Sequence, residues 1–310
     1  MRQFFTAAVL TATVASGIQL AIPFLLAALG ETMGQRSGVV NLGVDGIMLL
    51  GAFGAYFAAA KTGSLLLAAL VGVGIGLVMG LVTAFVSITL KAEQGISGIG
   101  IFLFGLGLTN VLLLKLFPSP VTVAALPMVQ IPLLDRIPAL GTMFFSQNWL
   151  VYLAFLLVPV LTFVLNRTTY GMKIRAVGEN PAAADTVGVS VTGIRYSTVL
   201  IGGALAGLAG ATLLLLVGIF QQDLTNSAGF IAVALVYFGA WRPIGVMAGA
   251  LLYGMVASIV LTSKTLEIIP LAASDIAAMA PAVITVLALL SVARRFRQPA
   301  ALGKPYERGT

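Results

Sequence analysis

The residues most able to take part in chemistry are a few polar side chains inside long apolar segments. Asn41 and Asp45 are four residues apart, so a helix would place both on one face. A polar side chain inside a membrane span is a functional candidate, because placing it in lipid is costly. So few charges suit a neutral polar solute, to which aromatic rings add stacking faces. The candidate pathway residues are Asn41, Asp45, Asn110, Phe102, Phe104 and Tyr237.

Each of these residues also has a purely structural interpretation. Asp45 could pair with Arg36 near the membrane boundary, and Asn41 could cap a broken helix. Asn110 could hydrogen-bond to a neighbouring helix, and the phenylalanine rings could face lipid. The residues alone leave both interpretations open.

Several kinds of chemistry are excluded by composition. The 310 residues include no histidine and no cysteine, which removes imidazole and thiolate metal ligands, Ser-His triads and cysteine nucleophiles. We therefore expect no catalytic residue and no metal site. A G-x-x-x-x-G-K-[ST] phosphate loop is also missing, because Gly303-Lys304 is followed by Pro305. We expect that this chain does not hydrolyse ATP by itself.

Composition also predicts the fold class. The chain is 59% hydrophobic and 9% charged, and its apolar runs repeatedly exceed the roughly 18 residues of a spanning helix. We predict an all-α, polytopic membrane protein with about 8–10 transmembrane helices, broken or re-entrant segments and a short cytoplasmic helix. The predicted spans are 6–29, 39–60, 64–90, 96–117, 148–166, 195–220, 229–241, 243–262 and 276–293. The segment 229–241 is about 20 Å long as a helix, which predicts a half-buried or re-entrant element.

Topology follows from the basic residues. With a cytoplasmic tail at 294–310, alternating spans place most of the 17 lysines and arginines inside. The proline-rich segment 118–147 then becomes an ordered external loop with room for short helices. Arg2 falls outside, against the rule. Two alternatives stay open: an interfacial helix plus one crossing in the first 30 residues, or a broken helix within 31–60.

A charged segment, 167–194, separates two apolar runs and must lie in water. Asn180 is a suitable N-cap, Pro181 suits the first helical position, and Gly188 can end the helix. A helix of about two turns is marginal in isolation. Either its own loop or the groove of a partner must therefore stabilise it.

Three segments carry a resemblance to a known family. GMKIRAVGENPAAADTVGVSVTGIRYSTVLIGGALAGLAGA, from 171, resembles the coupling segment of bacterial ABC importer permeases of the ribose and branched-chain amino acid class. ETMGQRSGVVNLGVDGIMLLGAFG, residues 31–54, is similar to the nucleoside and simple-sugar branch, with Asp45 where glutamate is usual. GFIAVALVYFGAWRPIGVMAGALLYG, residues 229–254, is similar to a Trp-containing break of that family. The resemblance spans about 20–295.

The resemblance implies a single permease domain over 1–310 in the bacterial inner membrane, importing nucleosides or, as the alternative, simple sugars. It implies three protein partners: a second and different permease subunit, a cytoplasmic ATP-binding cassette subunit that binds ATP and magnesium, and an extracytoplasmic binding protein. Membrane lipid surrounds the chain, and no nucleic acid is involved. The implied ATPase-coupling residues are Arg175, Glu179, Asn180, Pro181 and Asp185.

Two other classes compete with this interpretation. An ion-coupled secondary transporter normally carries several ionisable residues deep in its spans, and here we expect only Asp45 at such depth. A membrane-embedded enzyme needs a nucleophile, base or metal set, and the scattered Asp, Ser and Lys residues form no recognisable one.

Overall fold

The computed structural model describes residues 6–130, 140–268, 270, 273–292 and 297–307. The helices are α1 Ala7–Arg36, α2 Val44–Thr62, α3 Leu65–Ala84, α4 Gln94–Leu116, α5 Trp149–Arg167, α6 Thr169–Glu179, α7 Pro181–Thr186, α8 Val191–Val217, α9 Ala228–Phe238, α10 Pro243–Thr265, α11 Ser274–Ala278 and α12 Ala280–Val292. A π-helical turn, Phe85–Thr89, extends α3, and a second one covers Gly141–Phe145. Two short strands, β1 Met128–Gln130 and β2 Ser146–Asn148, pair antiparallel.

Seven of the described helices are long and apolar enough to cross a membrane, namely α1, α2, α3 with its π-helical turn, α4, α5, α8 and α10. The predicted polytopic helical fold is therefore confirmed. Of the two remaining predicted spans, 229–241 corresponds to the short helix α9, with 11 residues, and 276–293 corresponds to part of α11 and the 13 described residues of α12. A helix of 11 residues is about 16 Å long, roughly half of the hydrocarbon core. The prediction of a shortened element at 229–241 is thus confirmed.

The N-terminal helix crosses the bundle once. In its first half, Gln19 donates to Gln147 of β2, whereas at its end the carbonyl of Arg36 packs against Gly178 of α6. The predicted span 6–29 ended seven residues too early, because Glu31 and Gln35 were read as loop residues. Both side chains are buried and hydrogen-bonded to each other, which removes the cost of placing them in a helix at this depth. The break falls in the irregular segment 37–43, before α2.

The core of the bundle is built where α2, α3 and α8 cross. A Cβ added to Gly207 of α8 would lie 2.1 Å from the carbonyl oxygen of Gly72, and one added to Gly76 would lie 2.2 Å from that of Gly203. Only glycine permits this approach of backbones, which supplies dispersion contact where lipid offers no hydrophobic driving force. The spacing of glycines at every fourth position therefore does mark helix contacts. Gly51 adds α2 to the same crossing.

The two ends of the bundle differ. One end holds β1, β2 and the beginning of α5, and there Tyr56 donates its hydroxyl to the Val121 carbonyl. The other end holds α6 and α7, which we call the α6–α7 hairpin (residues 169–186). The segment 118–147, predicted as an external loop, contains β1, the second π-helical turn and the first two residues of β2. Its residues 131–139, with Asp135 and Arg136, lie outside the described part of the chain.

Candidate functional site

Asp45 joins the first turn of α2 to the beginning of the short helix α9. Its carboxylate accepts hydrogen bonds from the Gly229 amide at 2.7 Å and from the Thr225 hydroxyl at 2.9 Å. Ser227, at the N-cap position of α9, provides no side-chain cap. The Asp45 carboxylate therefore serves as the cap from another helix, next to the positive end of the α9 dipole. The alternative of an ion pair with Arg36 is wrong, because Asp45 binds α9 instead.

A second buried carboxylate, Glu31, belongs to a hydrogen-bonded chain at the other end of α9. Gln35 donates to Glu31 at 3.0 Å and accepts from the indole N–H of Trp241 at 2.8 Å. Arg36 donates through Nε to the Trp241 carbonyl at 2.9 Å. The ring of Tyr237 lies 4.9 Å from that of Trp241. The end of α1 thus holds the turn between α9 and α10.

We expect Gln35→Ala to destabilise the protein, because it removes the shared partner of Glu31 and Trp241. Leaving a buried donor or acceptor unsatisfied costs about 1–3 kcal/mol. The melting temperature of the purified chain in detergent measures the effect. Gln130→Ala, at an exposed position of β1, is the matched control. Equal melting temperatures for the two variants would contradict the assigned role of Gln35.

Asn41 shapes the segment between α1 and α2. Its side-chain oxygen accepts from the Gly43 amide at 2.9 Å, and its backbone N–H interacts with the Glu31 carboxylate. Nearby, the Val40 amide donates to the side chain of Gln94, at the beginning of α4. The Asn41 side chain is 5% exposed, so its present bonds are those of a turn that positions α2.

The predicted pathway residues of α4 lie in different surroundings. Phe102 packs edge-to-face on Phe230 of α9 with ring centroids 5.3 Å apart, close to the Asp45 cap. Phe104 is 54% exposed and points away from the bundle. Asn110 has a buried side-chain oxygen without a hydrogen-bond partner among the described residues. The structure thus brings Asn41, Asp45 and Phe102 to one region, with Tyr237 farther along α9; Phe104 and Asn110 lie apart.

The α6–α7 hairpin contains the predicted short helix. Asn180 accepts from the Ala183 amide at 3.0 Å, Pro181 is the first helical residue, and Gly188 adopts a left-handed φ of 83°. The predicted caps of α7 are therefore confirmed, although the helix ends at Thr186. The preceding helix α6 was not anticipated. Its Gly178 sits where a Cβ would lie 2.1 Å from the Arg36 carbonyl oxygen, so the hairpin rests directly on α1.

The surface of the hairpin mixes charge with exposed apolar side chains. Glu179 and Asn180 are exposed, and Arg175, Pro181 and Asp185 are partly buried. Arg175 and Glu179, which are both described, do not form an ion pair with each other. Arg175 instead donates a long hydrogen bond of 3.4 Å to the Gly171 carbonyl. Val187, the residue directly after the hairpin, is 78% exposed, and Met172 of α6 is 57% exposed. Apolar side chains exposed beside charged ones, outside the spanning helices, are typical of a protein docking surface.

The C-terminal segment packs on the same end of the bundle. Its amides donate from Ala301 to the Gly178 carbonyl and from Gly303 to the Gly38 carbonyl. The buried Arg195 of α8 donates to the carbonyls of Ser37 and Lys304. Glu307 pairs with Lys91 at 2.8 Å, and the ammonium holds the pKa of this carboxyl below its usual range. The described residues of the basic tail (294–310 in the sequence) are thus bound to this end of the bundle.

These features agree with a comparison of the whole chain. A family model described as branched-chain amino acid transport system, permease component, matches residues 13–292. The chain belongs to this permease family. The match includes the α6–α7 hairpin and the residues that contact both ends of α9, and it places the chain among transport permeases rather than ion-coupled transporters.

Named relatives of the permease are transport subunits. It is 42% identical to a provisionally named glucose ABC transporter permease protein, TsgC13, of Haloferax volcanii, over 85% of this chain and 80% of that one. It is 35% identical to the guanosine ABC transporter permease protein NupQ of Bacillus subtilis, over 97% and 98% of the two chains. The nucleoside ABC transporter permease protein NupC of Lactococcus lactis is 33% identical over 94% and 96%. No solved structure matches significantly.

The permease is accordingly a multi-pass subunit of an ATP-binding cassette importer in the bacterial inner membrane. Its family implies an ATPase in a separate subunit and a binding protein as partners. Sequence reasoning missed four residues of interest. Glu31 and Gln35 were hidden by the early end assigned to the first span, and the signal that could have found them is the absence of any proline between Leu29 and Ser37. Met172 and Val187 were hidden because α6 was read as loop.

Proposed function

We propose that this permease forms the pathway for nucleosides, with simple sugars as the second candidate. The observation that carries this is the similarity to the guanosine permease NupQ, which extends over 97% of the chain. The similarity to TsgC13, which is provisionally named a glucose permease, at 42% identity, favours a sugar as the alternative. Both solutes are neutral and rich in hydrogen-bonding groups, which suits a pathway with few charges.

The second permease subunit is proposed to be a different chain that packs on α4. Only 17% of the most apolar stretch of α4 is buried within this chain, so most of that helix is free to contact a second subunit. Phe102, Asn41, Asp45 and Tyr237 would then line or support the pathway beside α9, and Phe104 would face the second subunit or lipid.

Energy is proposed to enter through the α6–α7 hairpin, on the cytoplasmic side. The ATP-binding subunit would bind and hydrolyse ATP with magnesium, because this chain lacks a phosphate loop. The route into the bundle follows the contacts: Gly178 rests on Arg36, Arg36 and Gln35 hold Trp241, and α9 extends from there to Asp45. A displacement of the hairpin would thus be transmitted along the whole length of α9.

Uptake by the complete transporter, reconstituted in proteoliposomes with ATP inside, tests the solute class. We expect labelled guanosine or uridine to accumulate, and we expect unlabelled nucleosides to compete while a hundredfold excess of glucose does not. Accumulation of glucose with no effect of nucleosides would replace the first candidate by the second. Accumulation of neither, with ATP hydrolysis intact, would reject both.

A further inference from the structure

A cavity of about 630 Å³ opens beside the α6–α7 hairpin. Three arginines from three elements line it: Arg36 at the end of α1, Arg175 of α6 and Arg242 in the turn between α9 and α10. Asn166, near the end of α5, adds an amide. We call this space the arginine cavity.

A second space continues from the arginine cavity along the outside of the bundle. This apolar groove, of about 730 Å³, lies between α5 and α10, and its walls include Phe155, Pro159, Phe163 and Met247. Thr162, Asn166 and Ile244 line both spaces. Phe163 is 61% exposed and Ile244 57% exposed, so the groove faces the surroundings of the helices. The arginine cavity therefore adjoins the apolar groove directly, through the residues that line both.

Positive charge predominates around Arg36 in this cavity. Among the described groups that act on Arg36, Arg175 and Arg242 repel it and Glu179 attracts it. Arg36 and Arg175 are partly buried, and Arg242 is exposed at the mouth of the turn. Guanidinium groups bind phosphate oxygens in a bidentate manner, and basic pockets between helices at the cytoplasmic side bind anionic lipid headgroups.

We propose that an anionic phospholipid of the cytoplasmic leaflet occupies this site. Its phosphate binds among Arg36, Arg175 and Arg242, and one acyl chain lies in the apolar groove. The continuity of the two spaces selects a lipid over a soluble anion or an acidic protein segment, neither of which would fill the groove. The site rests on the proposed cytoplasmic position of the hairpin but is independent of the transported solute.

The proposed lipid would join parts of the chain that the ATPase motion has to move together. Its phosphate would contact α1, α6 and the turn after α9, which are the elements along the proposed route from the hairpin to Asp45. We therefore infer that anionic lipid stabilises this end of the bundle.

Native mass spectrometry of the purified full-length chain tests the proposal. We expect dioctanoyl phosphatidylglycerol to bind with clearly higher affinity than dioctanoyl phosphatidylcholine. The double variant Arg175→Gln with Arg242→Gln should weaken phosphatidylglycerol binding by about tenfold or more, since each basic group near a lipid surface contributes appreciably. Lys173→Gln removes a charge from the same helix outside both spaces and should leave binding unchanged.

Three results would overturn the proposal. The first is equal binding of the two lipids. The second is unchanged phosphatidylglycerol binding by the double variant, and the third is displacement of the lipid from the unmodified chain by glycerol 3-phosphate at equal concentration, which would indicate a site for a soluble phosphate. Because the third measurement uses the unmodified chain, a folding defect of the variant cannot obscure it. Loss of ATPase retention in the double variant, with equal binding of the two lipids, would identify a protein segment as the occupant.

Discussion

Reversing the charge of both Glu179 and Asp185 to arginine is expected to abolish ATP-driven uptake while the permease remains in the membrane. The two acids lie on the α6–α7 hairpin, on either side of the Asn180 cap, beside the exposed Val187. Removing a close charge pair at a protein interface costs about 2–5 kcal/mol, and a double reversal adds repulsion. We therefore expect the ATPase subunit to be retained about 30-fold less well, and uptake to fall to background.

Co-purification of the ATPase subunit and uptake in proteoliposomes measure the two effects. The matched control is Glu267→Arg with Asp275→Arg, which also reverses two acids but lies near the other end of α10 and on α11. Normal retention and uptake in the hairpin variant would remove the hairpin from the mechanism. So would modification of Ala183→Cys by a membrane-impermeant maleimide from outside intact cells, since the chain has no native cysteine.

The hairpin helix could be predicted from sequence because its signals are local. Asn180, Pro181 and Gly188 lie within nine positions, and each acts on backbone groups within a turn of itself. The glycines of α3 and α8 were equally informative, since a repeat every fourth residue marks one helix face without knowledge of the neighbour. In both cases the physical cause lies within a few residues of its effect.

The contacts of α9 could not be predicted in this way. The bond between Asp45 and Gly229 joins residues 184 positions apart, and the one between Gln35 and Trp241 joins residues 206 apart. Hydropathy treats Glu31 as a reason to end a span, whereas the folded chain supplies its hydrogen-bond partners from elsewhere. The depth of a polar residue is therefore decided by partners that a single sequence does not reveal.

Among single methyl groups added along the proposed pathway, the one in Gly229→Ala is expected to lower stability and uptake most. The new Cβ would lie 2.3 Å from the Asp45 amide nitrogen and 2.4 Å from its Cα, far inside van der Waals contact. Backbone cannot move aside as a flexible side chain can, so α9 must separate from α2. This separation breaks the hydrogen bond between the Asp45 carboxylate and the Gly229 amide, so α9 loses its cap.

Overpacking of this kind costs about 3 kcal/mol, and the lost cap adds about 1 kcal/mol. We expect a lower melting temperature and uptake reduced by at least about tenfold, with the ATPase subunit still bound because the hairpin is unchanged. Gly100→Ala, on α4, is the matched control, since no atom lies within 4 Å of its added Cβ. If both Gly229→Ala and Gly100→Ala kept full uptake, the anchoring of α9 by Asp45 would have no part in transport. Loss of ATPase binding in Gly229→Ala would instead place the defect in folding of the whole bundle.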